Sequence, residues 1–273
     1  MTPALETPAS TATIGDVRGI DVYDGNPIDT DYWAAERVVW GMVKLSEGGD
    51  VQPHAGDRVD ALRSIGALVG GYAYEYAPRE DQRAAAETFV RVLRAVGADD
   101  LYPAVDLESL CGVSGKVCVS PAVGLAHSEE LADRIEQLLG VEVTVYTGRG
   151  FWGLLGAAGQ ASWLTRRRLW VADYNVREVA PWVPARDPDP CPPWLHPTAW
   201  QFRGDGLDRN LTSAAGLASM TWRGKVVEPS PDTSSGFAAV LRDMPLLEQA
   251  NEGREQAKQA HDRRVSEDED EGR

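Results

Sequence analysis

The chain has 273 residues, 43% of them hydrophobic, with nine Trp and eight Tyr. That is enough for one large core or two modest ones, and single α/β barrels commonly reach this size. A formal charge of −15 and a pI near 4.7 exclude nucleic acid and an anionic membrane surface as partners, because both repel an acidic protein that has no basic patch.

Residues 1–15 are polar and rich in Thr, Pro and Ala, and predict a flexible N-terminus. They lack the basic start and continuous apolar segment of a secretory signal. No stretch of the chain has the length of a transmembrane helix. From there to about residue 212 the pattern is regular. Strand-like apolar runs fall at residues 17–22, 38–45, 68–74, 101–107, 141–146, 169–172 and 198–202, and around Leu207. Between several of them lie helical stripes. Ala85, Phe89, Val92, Leu93 and Val96 form one over residues 81–96, and Leu131, Ile135, Leu138 and Leu139 another over residues 128–139. The basic cluster Arg166-Arg167-Arg168 leads straight into Leu169-Trp170-Val171-Ala172 and predicts a solvated turn before a strand.

Strands alternating with helices predict an α/β fold with a parallel sheet, and about eight strands in roughly two hundred residues predict a closed or nearly closed TIM-like barrel. Residues 173–197 are Pro-rich without a helical stripe, so the barrel is expected to be irregular, with fewer helices, in its C-terminal half. Cys111, Cys118 and Cys191 are an odd number, which excludes a complete disulfide framework. Cys111 and Cys118 either close a small loop or stand as two free thiols. No C-x-x-C occurs and His54, His127 and His196 lie far apart, so neither a metal nor another cofactor is expected.

Carboxylates carry the chemistry. Pro103-Ala104-Val105-Asp106-Leu107-Glu108 is an apolar run ending in two acids spaced i and i+2, which project to the same face of a strand. Two close carboxyls raise one another's proton affinity, and such a Glu can stay protonated near neutral pH and donate to a leaving oxygen. Asp21 ends the first run, Asp173 follows Trp170-Val171-Ala172, and Asp208 stands in Gly206-Leu207-Asp208-Arg209-Asn210. In a barrel, strand ends converge on one cup. Capping or solvation explains any one of these acids; several at successive strand ends are harder to dismiss.

Taken together, six segments resemble a known family. Gly19-Ile20-Asp21-Val22, Lys44-Leu45-Ser46-Glu47-Gly48, Gly70-Gly71-Tyr72-Ala73-Tyr74, Asp106-Leu107-Glu108, Leu169-Trp170-Val171-Ala172-Asp173-Tyr174, and Trp200-Gln201-Phe202 followed by Leu207-Asp208-Arg209-Asn210 are similar, in order and spacing, to the motifs of glycoside hydrolase family 25, the Chalaropsis-type lysozymes or muramidases that include phage endolysins. The resemblance runs from about Arg18 to Asn210 and implies a catalytic barrel over residues 16–227. It implies Glu108 as general acid, with Asp106, Asp21 and Asp208 as the other acidic residues of the site. The implied substrate is bacterial peptidoglycan, cut at the β-1,4 bond between N-acetylmuramic acid and N-acetylglucosamine. Asp106 then either attacks the anomeric carbon or orients the substrate's own 2-acetamido group; the closeness of the two acids disfavours an inverting arrangement with a water between them, and of the two remaining routes the substrate-assisted one is expected.

Aromatic residues at strand ends, Tyr72, Tyr74, Tyr174 and Trp200, are candidates for lining a sugar cleft, with Glu47 and Asp173 as further substrate-binding candidates; buried aromatics are otherwise core. The third strand reads Tyr72-Ala73-Tyr74-Glu75 where the family often has a His after the Tyr, which leaves that polar contact either lost or supplied by Glu75. Beyond the resemblance, residues 228–236 predict a Pro/Ser linker and residues 237–273 an apolar helix and a charged tail that does not fold alone. That segment can dock on the barrel, mediate self-association or attach the protein to a larger assembly. Two functions are therefore expected: a free lytic muramidase, made in the cytoplasm and acting on the wall after release, or a phage-particle component that carries the barrel as a wall-penetrating or wall-binding module.

Overall fold

A computed structural model describes residues 15–78, 81–111, 117–174, 177–204 and 206–222. The expected N-terminal segment, except for Gly15, and the linker and C-terminal helix with its tail lie outside these residues. In chain order the elements are β1 (Val17–Val22), α1 (Thr30–Ala35), β2 (Trp40–Glu47), β3 (Asp50–Val51), α2 (Ala55–Ser64), β4 (Leu68–Tyr74), α3 (Gln82–Val96), β5 (Ala104–Asp106), α4 (Pro121–Leu139), β6 (Thr144–Gly148), α5 (Arg149–Ala161), a 3-10 turn (Trp163–Arg166), β7 (Arg168–Ala172), β8 (Glu178–Ala180), β9 (Val183–Pro184), β10 (Ala199–Arg203), β11 (Asp208–Thr212) and α6 (Ala214–Met220).

The sheet order is β1-β11-β10-β7-β6-β5-β4-β2-β3, and an added β1–β2 pairing closes it. Because β3 only forms a hairpin with β2, eight strands make the ring, one for each predicted run. From β1 through β2, β4, β5, β6, β7 and β10 the neighbours are parallel. The expectation of a wholly parallel sheet fails at the last strand: β11 runs antiparallel to both β10 and β1. The C-terminal half is irregular as expected, with the small β8–β9 hairpin where a helix would otherwise stand.

Strand alternation sorts the apolar residues into two layers. Trp40, Met42, Tyr72, Leu101, Ala104, Tyr146, Trp170, Ala199 and Met220 fill the interior, with Met220 of α6 entering from the foot. Val43, Leu45, Val69, Val105, Val145 and Leu169 face outward and join Phe89 and Leu93 of α3 and Leu131 and Ile135 of α4. The interior is tight at Gly19, where a Cβ would lie 2.0 Å from the indole of Trp40, so β1 closes against β2 only without a side chain there.

The helices start and stop where the capping chemistry directs. Asp81 accepts from Ala84 N at the head of α3 and Gly97 ends it in the left-handed conformation. Helix α4 begins at Pro121 rather than near Ser128, because Ser120 caps it and Pro121 has its φ already set for a first turn. No helix among the described residues is long and apolar enough to cross a membrane.

Three local expectations are resolved. Cys111 and Cys118 are bonded, and Cys191 is free and buried. The arginine cluster is not simply solvated: Arg167 binds both oxygens of Glu136 at 2.7 and 2.9 Å, and Arg168 lies 4.0 Å over Tyr102 and donates to Ser219 O. Glu75 turns away from the barrel mouth toward α4, where its Oε2 accepts from Ser128 Oγ at 2.7 Å.

The second oxygen of Glu75, Oε1, is buried without a hydrogen-bond partner, and burial pushes the carboxyl from its ordinary value of 4.5 up to about 8. The folded protein therefore favours neutral Glu75. That contribution is present below the ordinary value and is lost as the pH rises toward 8, at up to about 1.4 kcal/mol per pH unit. Thermal melts across pH should show Glu75→Gln matching the parent near pH 4 and exceeding it by about 4 °C or more at pH 8.

Candidate active site

The mouth of the barrel is built from strand ends. Asp21 stands near the end of β1 and pairs in register with Asp208, the first residue of β11. Because β11 is reversed, its start reaches the rim where the parallel strands finish. Residues directly opposite in an antiparallel pair have Cβ atoms about 5 Å apart. Asp106 ends β5 and is buried, and Glu108, two residues on, is exposed. Leu107 between them donates its N–H to Tyr146 O and accepts from Thr147 Oγ1. Its side chain is fully buried in the outer layer, so the two acids face inward.

Three of these carboxyls are held above the usual range. Asp21 is raised well above it by burial and then by the charge of Asp208, against hydrogen bonds from Asn210 and Gln201. Burial and then Glu108 raise Asp106, while the Lys44 ammonium opposes the shift. Glu108 is raised by partial desolvation of its carboxyl within the mouth, although the residue as a whole is exposed, and Lys44 again opposes the shift.

Beneath the acids lies a layer of amides and rings, of which the sequence singles out only Tyr174 as a site residue. Asp21 Oδ2 accepts from Gln201 Nε2 and from Asn210 Nδ2, each at 2.6 Å. Gln201 Oε1 accepts from Tyr146 Oη at 2.5 Å and from Tyr174 Oη. Asn210 Oδ1 accepts from Trp170 Nε1 at 2.7 Å. Each amide thus uses its N–H on Asp21 and its oxygen on an aromatic donor, which fixes both side chains and the carboxylate. Their signal in the sequence is an amide alternating with apolar residues in a strand, Gln201 between Trp200 and Phe202 and Asn210 before Leu211. Asp106 Oδ1, by contrast, is buried without any hydrogen-bond partner.

The remaining candidates divide. Tyr72 is buried edge-on to Trp170, with ring centroids 6.1 Å apart, and the charges of all four acids raise its hydroxyl further above its ordinary value. Tyr74 is partly buried with the Lys44 ammonium 4.4 Å from its ring centre. Tyr174 is half exposed, its hydroxyl 2.9 Å from that of Tyr146. Glu47 pairs with Lys44 at 3.1 Å. Asp173 and Trp200 are corrections. Counting alternate residues from inward Trp170 and Gln201 puts both on the outer face. Trp200 is 1% exposed and packs on Phe202. Asp173 accepts from Asp189 N at 2.9 Å and pairs with Arg186 at 3.6 Å, holding the Pro-rich loop. Among the described residues no group of His, Cys, Asp or Glu is arranged to hold a metal ion.

A buried carboxyl beside an exposed one, both raised, can offer a proton and a negative charge to the same bond. The profile of glycosyl hydrolases family 25 matches residues 20–210, spanning every one of these acids. The chain belongs to glycoside hydrolase family 25. It is thus a glycoside hydrolase of the lysozyme, or muramidase, type. Solved structures agree on the fold. A family 25 lysozyme from Aspergillus fumigatus superposes with a TM-score of 0.60 at 18% identity, over 75% of this chain and 98% of that one. A bacterial lysozyme from Streptomyces coelicolor gives 0.59 at 20% identity, over 75% and 96%. The catalytic domain of an endolysin from a bacteriophage of Listeria monocytogenes gives 0.53 at 20% identity, over 75% and 96%. No curated protein matches the sequence.

Asp21 is a desolvated acid facing a like charge, and an amide of the same shape accepts both hydrogen bonds without the charge. Asp21→Asn should therefore raise the melting temperature at pH 7 by about 3 °C, read by calorimetry on the purified protein.

Proposed function

We propose that this family 25 glycoside hydrolase cleaves the β-1,4 bond between N-acetylmuramic acid and N-acetylglucosamine in bacterial peptidoglycan, with Glu108 as general acid and Asp106 as the residue that orients the substrate's 2-acetamido group. The observation that carries this reading is the contrast within one strand end. Glu108 is open to the mouth and has a raised proton affinity. Asp106 is buried, with Oδ1 lacking any donor. An unsatisfied buried acceptor costs about 1–3 kcal/mol, and the N–H of an acetamido group would relieve that cost.

In the first step Glu108 gives its proton to the glycosidic oxygen while the acetamido carbonyl oxygen attacks the anomeric carbon and the leaving sugar departs. Asp106 accepts the amide N–H and stabilises the positive charge that develops on the ring. In the second step water adds to the anomeric carbon, its proton returns to Glu108, and the acetamido group is restored. Two displacements give net retention. Asp21 and Asp208 hold further negative charge at the rim, and the hydrogen bonds from Gln201 and Asn210 keep Asp21 fixed. Tyr72, Tyr74 and Tyr174 are proposed to line the sugar cleft, with Tyr174 the most accessible.

Glu108→Gln should lower kcat on purified cell walls by about 10³-fold or more with an unchanged melting temperature, since general acid catalysis supplies about 10²–10⁴. Muropeptides released by the parent should carry a new reducing N-acetylmuramic acid end. Proton NMR of the first product should show the retained anomer, and net inversion would exclude the route.

A further inference from the structure

The second strand carries a bulge whose role the proposed reaction does not use. The pairing of β2 with β4 runs Lys44↔Tyr72 and then Ser46↔Ala73 and Glu47↔Tyr74, so the register slips between Lys44 and Ser46. In a regular strand, residues i and i+3 face opposite ways. A bulge inserts one extra residue and re-aims the side chains beyond it, so both Lys44 and Glu47 turn toward the mouth. They form an ion pair at 3.1 Å in which each side chain is mostly buried. The ammonium also lies 4.4 Å from the centre of the Tyr74 ring and 5.5 Å from that of Tyr23. A flexible lysine is thereby fixed on three sides, one strand away from Asp106: Tyr74, which packs on the ammonium, stands on the strand between them and is the register partner of both Glu47 and Asp106.

We infer that Lys44 is a positioning residue for the glycosidic reaction, a fixed cation that sets the charge balance of the Asp106 and Glu108 pair, and that the bulge and Glu47 serve to hold it there.

The groups facing this pair come from every side of the mouth. Strand β1 brings Asp21 and β2 brings Glu47, while Tyr23 and Asp24, in the turn after β1, face Lys44 itself, Asp24 with Arg58 and His54 also beside it. Strands β4 and β6 bring the neutral hydroxyls of Tyr72, Tyr74 and Tyr146; the loop after β7 brings Tyr174, and β11 brings Asp208. Almost all are acids or neutral. Lys44 is the cation that acts most strongly on both Asp106 and Glu108. Opposite charge lowers a carboxyl's proton affinity. Removing Lys44 should therefore move both limbs of the pH profile upward, because Asp106 would ionise later and Glu108 would keep its proton longer.

The inference rests on the proposed hydrolase reading, and the experiment separates the two. The pH dependence of kcat/KM on purified cell walls is compared for the parent, Lys44→Met and Lys44→Arg, together with carboxyl carbon NMR titrations of Asp106 and Glu108, which require no activity. We expect Lys44→Met to shift both the bell and the carboxyl midpoints upward by about one pH unit and Lys44→Arg to keep the parent profile. Superimposable titrations for Lys44→Met and parent would overturn the inference. If Lys44→Met does not fold, Lys44→Gln takes its place with the same criterion. An inactive parent whose carboxyl midpoints still shift on losing Lys44 would count against the hydrolase reading and leave the charge-balancing role of Lys44 in place.

Discussion

Like charges brought together out of water are what the rest of this molecule has to accommodate. Two unit charges about 5 Å apart repel by roughly 3 kcal/mol at an effective dielectric of 20, and Asp21 faces Asp208 across a strand pair while Asp106 shares a strand end with Glu108. One hydrogen bond to a charged group contributes only about 1.5–3 kcal/mol. Two amides on Asp21, the opposing charge of Lys44 on Asp106 and raised proton affinities share that cost. The aromatic layer below, Tyr72, Tyr146 and Trp170, makes the problem harder by excluding water. It also keeps the proton affinities high, which is what acid chemistry at neutral pH requires.

This explains why side chains with no obvious chemistry of their own are so firmly fixed. Gln201 and Asn210 cannot rotate without breaking a bond to Asp21 and one to a tyrosine or tryptophan. Positioning of this kind is stiff because each member has another partner. The mouth is thus a set of repelling groups held by side chains that are each tied to a second partner.

The eight barrel strands were legible because each is an apolar run bounded by turn residues. Direction was not, since a period of two reads the same both ways. The short link from Arg203 to Asp208 did hold the answer: parallel neighbours need a crossover of a dozen residues or more, and only residues 204–207 separate β10 from β11. The acids were legible as strand-end carboxylates. Asp173 and Trp200 were misplaced because being near a strand end says nothing of facing, although alternation from Trp170 and Gln201 sends both outward. The bulge after Lys44 left no trace in the sequence, because one extra residue in the buried run Met42-Val43-Lys44-Leu45-Ser46 does not disturb its hydrophobicity.

The reversal of β11 has an effect at the other end of the barrel. Because this strand descends from the mouth, Thr212 finishes beside Val17, where β1 begins. Helix α6 then crosses the foot to plug it with Met220, and Trp222 donates to Asp100 O below β5. Both ends of the described chain meet at this closed pole. The acids therefore occupy the opposite pole, away from Gly15 and Trp222, the first and last described residues, so neither of these crosses the mouth.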